Sequence, residues 1–306
     1  MMSLVIGFIL MLICSLISVA FLTLLERKLL GYVQLRKGPD SVGLWGVFQP
    51  FSDALKLFSK EYIIVQKINF FPFWLSPVFS LFVSLAVWFT FPYFYILCSW
   101  KLSVLFMFCV LSLNVYSIMI SGWSSNSSYA TLGCIRSVAQ SVSYEVSFFI
   151  MILTVIFFVG SFNLLEFFKT QEYSWIGCFT VPMFFMMFVS MLAELNRTPF
   201  DFSEGESELV SGFNIEYGGT SFAFLFLSEY LSIIFSSFLL TLFFCNSLNV
   251  NSFFFVKIVF FSFFIVLIRG SLPRYRYDKL MNLCWKSYLG CTLSFIIFYL
   301  WMGWYF

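Results

Sequence analysis

The sequence predicts an all-α polytopic membrane protein with about eight transmembrane helices and one amphipathic helix at the membrane surface. Of its 306 residues, 61% are hydrophobic and only 10% are charged, and the mean hydropathy is +0.94. Soluble domains carry about 25% charged residues, so most side chains of this chain must face lipid or each other. Apolar stretches of about 20 residues, the length needed to cross a bilayer, follow one another along the chain.

These stretches divide one predicted membrane domain, residues 1–306, into spans and loops. The connection between the third and fourth spans, 121–137, is predicted to be a short polar loop. The sequence has no recognisable internal repeat of the kind found in inverted-repeat transporters. The predicted spans are 2–25, 70–91, 102–121, 138–159, 175–193, 220–244, 253–268 and 287–304, and the main polar loops are 26–69, 194–219 and 269–286.

The first polar loop contains a segment with the hydrophobic period of a helix. Pro50 suits the first turn of such a helix, and Asp53, Lys56 and Lys60 fall on the polar side. The segment therefore predicts an amphipathic helix lying in the membrane interface. Its apolar side is formed by Val47, Phe48, Phe51, Ala54, Leu55 and Phe58.

Lys and Arg are concentrated in alternate loops. All but three of the 17 basic residues lie in the loops after the first, third, fifth and seventh spans, and the exceptions are Lys101, Lys169 and Lys257. Positively charged loops remain on the cytoplasmic side of a membrane. The three main polar loops are therefore predicted to face the cytoplasm or the mitochondrial matrix.

The residue types that bind redox metals are absent or scattered. The chain has no histidine, which excludes His-ligated haem, a His-based metal site and a His proton shuttle. Its eight cysteines form no CxxC pair, whereas iron–sulfur clusters and zinc ribbons need clustered thiolates. We therefore expect no redox centre in this chain.

Three acidic residues interrupt or end apolar spans. Glu145 and Glu229 lie inside predicted spans, and Glu194 lies at the end of one. An ionisable side chain at mid-membrane costs about 2.5–3.5 kcal/mol on insertion scales and commonly marks an ion or proton path. The alternative is structural: Glu145 could pair with Arg136 or form a hydrogen bond between helices.

The loop after the fifth span is the most acidic part of the chain. It holds six of the 15 acidic residues and one base, Arg197. A solvated loop is one interpretation, but the low charge elsewhere favours a function. The loop acids are Glu194, Asp201, Glu204, Glu206, Glu208 and Glu216.

Several runs together resemble subunit 1 of mitochondrial NADH dehydrogenase, the respiratory complex I. The first loop, LLERKLLGYVQLRKGPDSVGLWGVFQPFSDALKLFSKE, and the acidic loop, AELNRTPFDFSEGESELVSGFNIEYGG, resemble the corresponding loops of that family. The shorter runs SGWSSN, RSVAQ, SYE and PRYRYDKLM match in order and position. The resemblance covers essentially the whole chain.

The resemblance implies a subunit that anchors the peripheral arm of the complex and forms much of the ubiquinone tunnel. The implied tunnel and entrance residues are Arg27, Gln34, Arg36, Pro50, Phe51, Asp53 and Lys56. The implied coupling loop carries Glu194, Arg197, Asp201, Glu204, Glu206, Glu208 and Glu216. The implied proton path consists of Glu145, Glu194, Asp201 and Glu229, and the implied structural or peripheral-arm contacts are Arg136, Arg274 and Arg276.

The same resemblance implies the surroundings of the chain. Ubiquinone is the expected substrate, and no metal or haem is expected here, because an iron–sulfur subunit of the peripheral arm reduces the quinone. The implied partners are the membrane and peripheral-arm subunits and phospholipids, with no nucleic acid. The implied location is the mitochondrial inner membrane, where the chain acts as part of a proton-translocating NADH:ubiquinone reductase and is not catalytic alone.

Two other functions remain open from the residues alone. The first is the equivalent membrane subunit of a related hydrogenase or formate hydrogenlyase, against which the amphipathic segment and the high Phe content argue. The second is a self-contained ion transporter using Glu145 and Glu229, against which the missing repeat and the long polar loops argue. A cytochrome b-like quinone enzyme is excluded by the absence of histidine.

Overall fold

The fold is a bundle of membrane-length helices joined by structured loops. The computed structural model describes residues 2–61, 66–91, 100–172, 174–203, 205, 212–246 and 252–305. Within these residues, seven helices are long and apolar enough to cross a membrane. In lipid the backbone must satisfy its own hydrogen bonds, which favours helices. The all-α polytopic class predicted from the sequence is confirmed.

The first span is longer than the apolar stretch that predicts it. Helix α1 covers Met2–Val33, whereas hydropathy predicts its end at residue 25. The helix continues because one face of its last turns remains inside the protein, with Glu26 buried there. A 3₁₀ turn at Leu44–Gly46 then leads into α2, Gln49–Ser59, which has Pro50 in its first turn and packs on α1.

The third and fourth predicted spans are separated by less loop than expected. Helices α3, α4 and α5 cover Phe70–Val87, Ser103–Ser124 and Ser128–Val159. The predicted polar loop 121–137 is therefore mostly helical, which corrects that prediction. Gly122 allows the two helices to approach closely, because a Cβ there would lie 2.3 Å from the Cβ of Cys134.

The fifth predicted span is divided into short helices. After α6, Glu166–Thr170, the chain forms α7, Ile176–Phe179, and α8, Val181–Glu194. Helix α8 is apolar but shorter than a membrane span. The ladder of backbone hydrogen bonds along the helix breaks at Thr180, because Pro182 has no N–H to donate to the carbonyl of Cys178. The prediction of one continuous helix over 175–193 is therefore corrected.

The remaining helices complete the bundle. Helix α9 covers Gly219–Phe244 and α10 covers Ser252–Ser271. The last span combines α11, Tyr277–Asn282, one π-helical turn at Leu283–Tyr288 and α12, Leu289–Tyr305. Its helical part therefore begins about ten residues before the predicted start at 287.

The core lies around α9, which packs against α1, α3 and α10. Buried aromatic rings fill its C-terminal half, including Phe238, Phe243 and Phe244. The rings of Phe243 and Phe167 meet edge to face at 5.2 Å. The other half of α9 carries Glu229, so one helix spans both the aromatic core and the charged region described next.

Candidate functional site

A polar cleft opens between α3, α4, α9 and the turn that follows α8. It contains about 1080 Å³ of space, including solvent at its mouth. Because charged side chains avoid hydrocarbon, their presence here indicates a hydrated interior. The charged lining residues are Glu194, Arg197, Asp201, Glu229 and Arg269, and hydroxyl or amide groups line the wall at Ser80, Ser84, Asn114, Ser117, Ser228, Ser232 and Ser236.

Arg197 is the central cation of the cleft. It lies in the turn after α8 and is only 7% exposed. Its Nη2 donates to Glu229 Oε2 of α9 at 3.2 Å, and its guanidinium lies 5.0 Å from the centre of the Tyr230 ring. The planar guanidinium suits both contacts. This arrangement gives the buried cation and the carboxylate inside the span each a partner.

A second ion pair joins two of the polar loops. Asp201 Oδ2 accepts from Arg274 Nη2 at 3.3 Å, and both side chains are largely covered. One residue further on, the Tyr275 N–H donates to the Pro199 carbonyl at 2.8 Å. The basic loop before the last span is therefore bound directly to the beginning of the acidic loop.

A third pair was not singled out by the sequence analysis. Arg269, at the end of α10, binds Glu26 of α1, and Arg269 also lines the cleft. A signal was present, because Ser15, Val19, Leu22 and Glu26 recur at helical spacing and all are buried. Glu26 therefore continues the inward face of α1, although its charge suggests a loop.

Three of the entrance residues predicted on the first loop, Arg27, Phe51 and Asp53, lie where α1 and α2 pack together. Arg27 pairs with Asp53, and Gln49 Nε2 also donates to Asp53 Oδ1 at 3.0 Å. The Phe51 ring lies 6.3 Å from that of Phe21 in an edge-to-face contact. Glu26 and Arg27 are neighbours, so α1 directs one charge toward the cleft and the next toward α2.

Comparison with known proteins decides the family. The NADH dehydrogenase family profile matches residues 6–300. The chain is 54% identical over 296 residues to NADH-ubiquinone oxidoreductase chain 1 of Locusta migratoria, covering 97% of this chain and 94% of the relative. It is 52% identical over 295 residues to the Aedes aegypti protein of the same name, covering 96% and 94%. The chain belongs to the NADH dehydrogenase family.

In this member of the NADH dehydrogenase family, the intramembrane acids are neighbours. Glu194 lies at the end of α8 and lines the cleft. Glu145 is half-buried on α5, and α5 packs against α8, which ends at Glu194. With Glu229 and Asp201 on the cleft wall, the four acids predicted as a path lie in one region. Three of them line one cleft, and Glu145 lies on the helix that packs against α8.

The second half of the acidic loop is only partly described. Glu204, Glu206 and Glu208 lie outside the described residues. Glu216 is half-buried and precedes Tyr217. The Tyr217 ring stacks on Phe73 of α3 at 4.1 Å, and its hydroxyl lies 2.9 Å from Ser76 Oγ. The end of the loop is therefore fixed to α3.

The remaining predicted residues are dispersed. Arg36 Nε donates to Gln34 Oε1 at 2.8 Å, and Lys56 is exposed on α2. Arg136 lies within α5, half-buried, and not in a loop. Arg276 binds Asp278 at 3.0 Å on the surface. In the part of the chain that is described, no three His, Cys, Asp or Glu side chains are placed to hold a metal ion.

Proposed function

We propose that this chain is a core membrane subunit of a proton-translocating NADH:ubiquinone oxidoreductase, complex I, and that its polar cleft joins quinone reduction to proton movement. Family membership and the printed names of the relatives support the complex. One observation supports the role of the cleft: three carboxylates and two arginines, one of them Arg197, gather among apolar helices. Such clusters are costly in a membrane and mark ion or proton paths.

The surface near α2 suits a lipid-borne quinone. A ubiquinone molecule has a polar head and a long apolar tail, so its path needs an apolar opening beside polar groups. Leu55 on α2 is 71% exposed and Trp45 before it is 80% exposed, while the Arg27–Asp53 pair lies on the adjoining side. The proposed tunnel and entrance residues are Arg27, Gln34, Arg36, Pro50, Phe51, Asp53 and Lys56.

The acids supply the second part of the proposal. Reduction of the quinone head creates a demand for protons, which changes the charge near Arg197, Asp201 and the acidic loop. A local charge change can bias a segment that has two arrangements. The buried carboxylates then pass the effect into the membrane. The proposed path runs through Asp201, Glu194, Glu145 and Glu229, with the coupling loop continuing through Glu204, Glu206, Glu208 and Glu216.

The electrons come from outside the chain in this proposal. An iron–sulfur subunit of the peripheral arm reduces the ubiquinone, while this chain binds the quinone and supplies the carboxylates. Arg136, Arg274 and Arg276 are proposed structural or peripheral-arm contacts. The setting is the mitochondrial inner membrane, where other complex I subunits and phospholipids surround the helices.

A photoreactive ubiquinone analogue tests the proposal in intact inner membranes. After illumination, labelled peptides of this chain are mapped by mass spectrometry, with excess ubiquinone as the competitor. We expect competed labelling within 25–60 or 194–216. Labelling confined to neighbouring subunits would remove the tunnel role and leave the chain as an anchor and proton path.

A further inference from the structure

Gln140 is an amide buried inside a membrane helix. It lies in the run RSVAQ on α5 and is 0% exposed. A buried amide is stabilising only when its hydrogen bonds are formed. Its Nε2 donates to two backbone carbonyls, that of Ala193 at 2.7 Å and that of Phe200 at 2.9 Å. Neither acceptor is on α5.

The two carbonyls bracket one turn of the chain. Ala193 belongs to the last turn of α8 and Phe200 follows the turn, so the Gln140 amide closes the base of residues 194–199. Within the turn, the Phe200 N–H donates to the Arg197 carbonyl at 2.8 Å, and Asn196 has a φ of 50°. A non-glycine residue in the left-handed region persists where surrounding contacts enforce it.

This turn carries the charges of the cleft. Glu194 begins it and Arg197 lies within it, and both line the cleft. The Arg197–Glu229 contact of 3.2 Å depends on where the turn lies relative to α9. Gln140 touches none of these charged groups, but its amide fixes the backbone that carries two of them.

We propose that Gln140 is a positioning residue, whose amide holds residues 194–199 in the geometry that presents Glu194 and Arg197 to the cleft. The contribution to turnover rests on the function proposed above, whereas the contribution to the geometry of the turn does not. Misplacement of a reacting group by about 1 Å can cost about 100-fold in rate, so a modest movement of the turn is expected to affect turnover.

The chain contains a matched control. Gln171 is also buried, at 1% exposure, and its Nε2 donates to the carbonyls of Leu242 at 2.9 Å and Phe243 at 3.1 Å. These carbonyls belong to the C-terminal end of α9, opposite to the half that carries Glu229. Gln140→Met and Gln171→Met each remove two donated side-chain bonds at similar volume, one beside the cleft and one away from it. Gln171→Met also removes the bond that Gln171 Oε1 accepts from the Asn246 N–H at 2.9 Å, so the control is at least as disruptive locally.

The experiment uses both variants in the assembled complex. Hydrogen–deuterium exchange is followed in peptides that cover 194–201, and the kcat and KM for a short-chain ubiquinone are normalised to the amount of complex. For Gln140→Met we expect exchange about tenfold faster in 194–201 and a kcat lower by about tenfold to 100-fold, with KM near the wild-type value. For Gln171→Met we expect wild-type exchange at 194–201 and wild-type kinetics per complex, whatever the yield.

Three outcomes are decisive. Unchanged exchange at 194–201 in Gln140→Met overturns the positioning role and leaves the proposed function intact. Faster exchange with unchanged kinetics supports the role in the turn and overturns the proposed function of the cleft. Equal kinetic losses in the two variants assign both effects to general destabilisation and overturn the inference. If Gln140→Met does not assemble, Gln140→Asn, which keeps a neutral amide but shortens its reach to the two carbonyls, is measured in its place.

Discussion

Arg197 shows how a single side chain combines packing and electrostatics in this cleft. Its guanidinium contacts the Glu229 carboxylate and the Tyr230 face at once, and its side chain is 9% exposed while that of Glu229 is 25% exposed. Removing one partner of a buried pair leaves an uncompensated charge, which is more costly than the net contribution of the intact pair. The arginine is therefore expected to stabilise the fold in addition to its proposed role in the cleft.

The variant Arg197→Gln tests how much the Arg197–Glu229 pair contributes to stability. We expect a loss of about 3 kcal/mol in stability, measured as a lower Tm of the purified complex, together with reduced quinone reduction. Arg197→Lys keeps the charge but loses the planar stacking, so an intermediate Tm is expected. Lys169→Gln is the control, because its pair with Glu166 is exposed on both sides and exposed pairs contribute little. Equal Tm values for Arg197→Gln and Lys169→Gln would contradict the argument.

The sequence identifies single residues of the cleft better than their partners. Glu145 and Glu229 stand out because charge is rare in apolar spans, and Arg197 because it is the lone base in an acidic loop. The partnership of Glu26 with Arg269 joins residues that are 243 positions apart. Local periodicity shows that Glu26 faces inward, but it contains no information about which helix lies opposite.

At the scale of elements, hydropathy predicts the existence of helices and misjudges their ends. The start of α5 at Ser128 is polar but helical. Gly133 near this end lies against the acidic loop, where a Cβ would be 3.1 Å from the Ser203 carbonyl oxygen. The break before α8 depends on the single residue Pro182. Hydropathy averaged over a span of 19 residues does not show this break. Tertiary contacts and single residues therefore decide boundaries that composition does not.

Helix α2 gives a prediction at this scale. Two aromatic contacts, Phe51 with Phe21 and Phe58 with Phe224, hold it against α1 and α9, and the Arg27–Asp53 pair adds a polar contact. The pair is half-exposed, with 53% and 33% of the two side chains accessible, so it contributes only about 0.2–1 kcal/mol. Asp53→Asn is therefore expected to loosen α2 without unfolding the bundle.

Hydrogen–deuterium exchange of residues 49–59 measures that loosening. We expect exchange about 1.4-fold to fivefold faster in Asp53→Asn, which is the ratio given by the small free energy of an exposed pair. Lys60→Gln, exposed just beyond the end of α2, provides a control with unchanged exchange. Identical exchange in the two variants would mean that the aromatic contacts alone position the helix.

At the scale of the whole molecule, three polar loops meet at one end of the bundle. Glu26 with Arg269, Arg27 with Asp53 and Asp201 with Arg274 connect the first, acidic and basic loops. The asymmetric distribution of Lys and Arg predicts this end to face the cytoplasm or the matrix. In the proposed function, a quinone head arriving there would meet the cleft, which Glu229 of α9 also lines.

The arrangement predicts that proton movement depends on Glu145 even though that side chain is remote from the entrance on α2. Glu145→Gln keeps the size and polarity of the side chain but cannot carry a proton, so a transfer that uses this carboxyl should slow by about 100-fold or more. The measurement is the number of protons moved per NADH oxidised by the purified complex in proteoliposomes. We expect that ratio to fall while electron transfer to ubiquinone continues.

Glu166→Gln is the control, because Glu166 forms an exposed pair with Lys169 in α6, only a few residues after α5 ends, and it should leave the ratio unchanged. A wild-type ratio in Glu145→Gln would show that Glu145 is a structural group of α5 and that protons take a route that does not include it.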